Sequence, residues 1–260
     1  MFSVTGKRIL LTGGARGIGR VVSRVLVEQG AKVAILDVLD EQGKKHAETI
    51  TSTGPGRASY FRCNIAKRSE VFDTVKAAVE GPLGGSLDAV HNIAGVERSG
   101  NLEDCTEEDF DLLFNVNVKG SFFIAQAAFP YLKAGGGGSI INFGSDAGQI
   151  GWVPLGVYGA SKGAIHSLTR AMTNNWACYN IRTNTVIPAV KTPMYDQHLS
   201  QMTESERAMH HEMMKTAFPL GGQLGNVEEL APIMVYLTSD SAKFITGQIF
   251  PVNGGASMVR

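Results

Sequence analysis

The rhythm of this chain constrains its fold more than any single residue. Short β-rich runs alternate throughout with stretches of helix length that carry one apolar face. Arg8–Thr12, Lys32–Asp37, Ser59–Cys63, Asp88–Ile93, Ser139–Phe143, Ile181–Ile187 and Gln248–Val252 read as strands. Between them, Gly17–Gln29, Glu41–Ser52, Ser69–Glu80, Thr106–Leu132, Tyr158–Ala177 and Val227–Thr238 read as helices. Strands spaced by helices cannot pair as hairpins. They join through right-handed crossovers, which produce a parallel sheet covered on both faces. The expected fold is α/β, a doubly wound parallel sheet in three αβα layers.

No linker breaks this rhythm, so residues 1–260 are expected to form one domain. The Gly135–Gly138 run falls where a helix must turn back into a strand and reads as a loop. The exception is Lys191–Gly225, which has no clear strand and carries Met194, Met202, Met209, Met213 and Met214. Long irregular segments often cover binding sites, and methionine adapts to apolar ligands. This segment is therefore expected to cover substrate; two ordinary surface helices are the plainer alternative.

Lys+Arg and Asp+Glu both number 24, with no block of like charge, which argues against nucleic acid or an anionic membrane as partner. The cysteines at 63, 105 and 178 lack any CxxC pairing, so no disulfide framework or metal site is expected. No signal-peptide pattern or membrane-length apolar run is evident, and a cytoplasmic protein is expected.

After the first strand comes Thr12-Gly13-Gly14-Ala15-Arg16-Gly17-Ile18-Gly19, then a helix. Such a turn lets backbone approach a pyrophosphate, and the helix N-terminus favours its charge. Asp37 ends the second strand, where a carboxylate can accept hydrogen bonds from ribose hydroxyls and repel a 2′-phosphate. NAD is thus the expected cofactor, although Arg16 in the turn could instead pair with a phosphate.

The fifth strand delivers Ser145 at its C-terminal end, where open α/β sheets bind ligands. Downstream, Tyr158 and Lys162 stand at i and i+4 on one helix face. A neighbouring ammonium is expected to bring the phenol's pKa down toward the working range. Ser145 can hydrogen-bond a substrate oxygen as charge develops on it.

With these residues in place, the sequence resembles the short-chain dehydrogenase/reductase family, in its compact single-domain branch, from Lys7 to Gly255. Asn92-Ile93-Ala94-Gly95, Asn117-Val118-Lys119-Gly120 and Asn253-Gly254-Gly255 belong to that resemblance. It implies a Rossmann-type fold and a catalytic tetrad of Asn117, Ser145, Tyr158 and Lys162. Tyr158 would exchange the proton, Lys162 would also bind the nicotinamide ribose, and Asn117 would hold a water linking Lys162 to solvent. Gly13, Arg16, Gly17, Ile18, Gly19, Asp37, Asn64, Ile65, Asn92, Ala94, Gly95, Pro188, Val190 and Thr192 would meet the cofactor. His91 replaces the first asparagine of the family's NNAG and reads as structural. Pro188 to Thr192 is one residue shorter than the family's P-G-x-[IV]-x-T, which puts the loop's path in question.

Val96, Asp146, Gln149, Trp152, Leu155 and Met194 flank the tetrad, and most are apolar. A hydrophobic secondary alcohol or ketone, cyclic or aromatic, is the expected substrate. The resemblance also implies a homotetramer (or homodimer), with Phe122, Phe123, Phe129 and Trp176 suited either to interfaces or to the core. The rival readings are an NADPH-dependent β-ketoacyl reductase, against which Asp37 argues, and a catalytically silent NAD(H)-sensing protein. An enoyl reductase of this fold would need a wider Tyr-to-Lys spacing than i,i+4.

Overall fold

A computed structural model describes residues 2–258 except Gln201, and leaves aside the side chains of Met194, Gln197 and His198. Seven strands form its sheet: β1 (Arg8–Thr12), β2 (Lys32–Asp37), β3 (Arg57–Arg62), β4 (Ala89–Asn92), β5 (Gly138–Phe143), β6 (Ile181–Pro188) and β7 (Ile249–Val252). Every pair is parallel, in the order β3-β2-β1-β4-β5-β6-β7. Strand order reverses between β1 and β4, and at that switch point the C-terminal strand ends open a crevice.

The helices are α1 (Gly17–Glu28), α2 (Asp40–Thr53), α3 (Arg68–Glu80), α4 (Glu107–Leu113), α5 (Ser121–Ala134), α6 (Gly156–Trp176), α7 (Pro193–Ser200), α8 (Glu204–Ala217) and α9 (Ala231–Thr238). The period-two alternation of the strands explains the two cores. Ile9 and Leu11 of β1, with Val33 and Ile35 of β2, pack beneath Val22 and Leu26 of α1, Ile50 of α2 and Met234 of α9. The intervening Leu10, Ala34 and Leu36 face the other way, onto Val71 and Val75 of α3 and Ile124 and Leu132 of α5. One layer thus lies on each face of the sheet.

Two sequence expectations change. The single helix expected over Thr106–Leu132 is α4 and α5 joined by a π-helical stretch, Phe114–Gly120. Its wider turn carries Asn117, which bonds outside the helix (below); such bulges recur at functional sites. Lys191–Gly225 is not irregular but contains α7 and α8, and Thr203 with Glu206 forms a capping box that starts α8. Met214 is buried, whereas Met209 and Met213 are exposed. Met194, expected at the pocket, lies outside the described side chains. Phe122, Phe123, Phe129 and Trp176 pack partly buried against the α3/α5 core.

Candidate functional site

A cleft of about 480 Å³ opens at the switch point, lined by Gly13, Arg16, Gly17, Ile18 and Gly19 on one side. Asp37, Asn64 and Ile65 close one end, and Ala94, Gly95, Val96 and Thr192 the other. The glycines are sterically required. A Cβ on Gly19 would stand 2.2 Å from the Gly13 carbonyl oxygen, and one on Gly13 would lie 2.8 Å from the Ala94 Cα. Gly13 and Gly17 both have positive φ, which costs other residues strain. Arg16 is the N-cap of α1 but makes no side-chain capping bond, so the first-turn N–H groups await another acceptor. A dinucleotide pyrophosphate suits that site.

Asp37 is nearly buried, and its carboxylate is held by backbone. Oδ2 accepts from Ala15 N at 2.9 Å, and Oδ1 from Val38 N at 2.7 Å and Leu39 N at 3.1 Å. Three N–H donors fix an anion at the cleft wall with its remaining lone pairs available. Asn64 Oδ1 accepts from Ala66 N at 3.0 Å.

A second cavity of about 120 Å³ adjoins the cleft through Ile18, Ile93, Gly95 and Val96. It reaches Glu97, Phe143, Gly144, Tyr158, Lys162 and Pro188. Ser145 acts on the Tyr158 hydroxyl in the direction that favours its ionised form, and Ser145 Oγ accepts from Ala147 N at 3.2 Å. Lys162 Nζ lies 5.7 Å from the Tyr158 ring centroid and donates to the Phe143 carbonyl at 3.0 Å. The i,i+4 spacing therefore places both side chains in one cavity.

The electrostatics differ from the sequence expectation. Burial raises the Tyr158 pKa well above its ordinary value, and the charges of Glu97 and Asp146 add to this, while Ser145 opposes it. Burial also lowers Lys162 to about 8, against a smaller opposing pull from Glu97. Desolvation is the largest influence on the phenol in this corner, an effect that the Tyr158–Lys162 spacing alone does not register.

Asn117 is buried and its amide is committed. Oδ1 accepts from Val96 N at 2.9 Å, and Nδ2 donates to Val96 O at 2.9 Å and Ser161 Oγ at 3.0 Å. The side chain clamps the loop after β4 to α6. Asn92 does not line the cleft: its Nδ2 donates to Asn142 Oδ1 at 2.9 Å and Ser121 O at 3.2 Å inside the sheet. Val190 packs into the core, while Pro188 and Thr192 face the cavities. The shortened loop is pinned by Lys191 N to Gly225 O at 2.9 Å and Gly225 N to Ala189 O at 3.0 Å.

Asp146, expected at the pocket, is buried and holds the C-terminal segment by accepting from Asn253 Nδ2 at 2.8 Å and from Ser257 Oγ. Ser257 Oγ also reaches Gln149 Oε1 at 3.1 Å. Trp152 is exposed and Leu155 half-buried, both outside the smaller cavity. His91 is buried with Nε2 2.8 Å from Thr238 Oγ1, tying β4 to α9. Sequence reading missed Glu97, Gly144 and the Phe143 carbonyl. Their signal was position, since each follows or ends a strand at the switch-point edge.

A family model described as enoyl-(acyl carrier protein) reductase matches residues 13–257. An uncharacterized oxidoreductase of Thermotoga maritima is 38% identical over 257 residues, covering 98% of each chain. A 2,5-dichloro-2,5-cyclohexadiene-1,4-diol dehydrogenase of Sphingobium indicum is 33% identical over 264 residues, covering 100% of both. Among solved structures, a gluconate 5-dehydrogenase from Burkholderia cenocepacia, in complex with NADP and tartrate, superposes with a TM-score of 0.90. It is 29% identical, and the match covers 98% of this chain and 96% of that one.

Proposed function

The chain belongs to the short-chain dehydrogenase/reductase family and is an oxidoreductase, and from that premise we propose that it interconverts a secondary alcohol and a ketone using NAD(H). The observation that carries this reading is that Tyr158 and Lys162 line one cavity adjoining the glycine-walled cleft, with Ser145 acting on the phenol. When bound, the nicotinamide ring supplies or accepts the hydride.

The chain's own residues handle the oxygen and its proton. In the reducing direction the Tyr158 phenol donates to the carbonyl oxygen, while Ser145 hydrogen-bonds that oxygen as charge develops on it. A phenol whose pKa is raised stays protonated at neutral pH, so this direction needs no help there. In the oxidising direction Tyr158 must act as a base, and its raised pKa places the rise in rate on the alkaline side. Lys162, held by the Phe143 carbonyl, supports the phenolate while it keeps its proton. Asn117 and Asp146 act by positioning: one clamps Val96, the other anchors the C-terminal segment behind Ser145.

The backbone-held Asp37 supports NAD, because a 2′-phosphate would face a fixed carboxylate. Arg16 in the same cleft supports the second reading, an NADPH-dependent reductase of β-ketoacyl type, and the gluconate dehydrogenase binds NADP. The relative named for a chlorinated cyclohexadiene diol supports a neutral cyclic substrate. Thr192 and Pro193 at the cleft edge lead into α7 and α8, which fits residues 191–225 as a substrate cover. A homotetramer, or a homodimer, is the assembly this reading carries.

The test is a panel of cyclic, aromatic and short aliphatic alcohols and ketones, followed by NADH absorbance with NADP(H) in parallel. NAD should give at least about tenfold higher kcat/KM, and Asp37→Asn should narrow that gap. A preference for NADP would overturn the assignment of Asp37. Cofactor binding without turnover across the panel would favour the silent sensor.

A further inference from the structure

Glu97 follows Val96, whose N–H and C=O are both tied to the Asn117 amide at 2.9 Å. A Cβ on Gly95, two residues earlier, would meet Asn117 Oδ1 at 3.1 Å and Lys162 Nζ at 3.4 Å. The main chain entering Glu97 is thus fixed against the reacting corner. Glu97 shares the cavity of about 120 Å³ with Tyr158 and Lys162, and its charge acts on both.

Asp146, Arg98 and His166 are the other charged or titratable groups near this corner among the described residues. Asp146 also acts on Tyr158, but it is buried, bonded to Asn253 and Ser257, and lies outside the cavity lining. Arg98, the next residue, donates to Asp109 Oδ1 at 3.2 Å. His166, behind Lys162, is pushed down to about 4 by burial and by Arg170 and Lys162, and is neutral at pH 7. Two carboxylates therefore act on the corner that holds the Lys162 ammonium. Of the two, Glu97 is the one lining the cavity.

We propose that Glu97 is a charge filter: its carboxylate at the reacting corner favours neutral or cationic alcohols and ketones and disfavours those with a negative charge close to the reacting carbon. The proposal rests on the reading of Tyr158 and Lys162 as the reacting pair, and it names the substrate class of that site. Because Glu97 is solvent-exposed, the discrimination is screened and amounts to about three- to tenfold.

The probes are 2-pentanol, 4-amino-2-butanol and the β-hydroxybutyrate anion, which match in size and differ in charge. Turnover should favour the two alcohols over the hydroxy acid. Glu97→Gln should raise turnover of the hydroxy acid relative to 2-pentanol, compared as kcat/KM, by about three- to tenfold. Glu97→Lys should reverse the order, and added salt should shrink the wild-type preference. Binding is measured separately by saturation-transfer NMR on Tyr158→Phe protein, alone and combined with Glu97→Gln. A cation-over-anion preference that disappears with Glu97→Gln supports the filter even without turnover, in which case only the hydride-transfer reading fails. An anion-to-neutral ratio unchanged by Glu97→Gln, in turnover or in binding, overturns the filter.

Discussion

The two halves of the sheet build their parts of the site from different materials. Around β1 and β2 the cleft wall is backbone: glycines pressed against carbonyls, an uncapped helix start, and a carboxylate held by three N–H groups. Around β4, β5 and α6 it is functional side chains, with Asn117 bonded to Ser161, Ser161 to the Tyr158 carbonyl and Lys162 to the Phe143 carbonyl, beside Ser145 and the Tyr158 phenol. The first half should therefore be sensitive to the size of a residue and the second to its functional group. Holding a cofactor needs a shape, whereas moving a proton needs particular atoms.

Tyr158→Phe offers the sharpest test. It should lower kcat by about 10²- to 10⁴-fold while leaving the nucleotide dissociation constant, read by fluorescence titration, within about twofold. A parallel loss of binding would mean the halves are not separable. Gly19→Ala should do the opposite. Its Cβ meets the Gly13 carbonyl, so thermal melts should show about 1–3 kcal/mol lost and nucleotide binding should weaken at least about tenfold. Full binding at wild-type stability would remove the steric account of the first half.

Asn117→Ala strands the Val96 N–H and C=O and removes the Nδ2 donor to Ser161 Oγ, which keeps its bond to the Tyr158 carbonyl. About 1–3 kcal/mol should be lost in urea melts, with kcat falling as the corner loosens. An Asn117→Ala protein of unchanged stability would show that the clamp is ornamental.

Acid should weaken the fold. His91 is lowered to about 3, and His46 and His166 to about 4, in each case chiefly by burial. Folded-state values below the unfolded 6.5 mean that the unfolded chain binds more protons between those limits. Stability is thus complete above about pH 6.5 and falls on acidification through 4, by up to about 1.4 kcal/mol per pH unit for each histidine. Melts of His46→Gln and His166→Gln against pH would apportion that loss between the halves. The smallest effect belongs to Met209→Gln on α8. Met209 is exposed, so stability should move by no more than about 0.5 kcal/mol.

The alternation of apolar runs by itself determined the layered fold, because burying a strand on both faces leaves few arrangements for its neighbours. It also determined the glycine turn and the Tyr158–Lys162 face, since each depends on residues close in sequence whose spacing fixes their geometry. Tertiary structure alone decided where side chains from distant elements spend their hydrogen bonds. Asn92 turns into the sheet toward Asn142, Val190 packs into the core, and Asp146 is taken by Asn253 and Ser257 from the C-terminal segment. The break of the long fourth helix at Asn117 was equally unreadable, because its partners Val96 and Ser161 come from other elements. The rise in the Tyr158 pKa belongs to the same class: desolvation depends on everything packed around a group, and no local spacing encodes that.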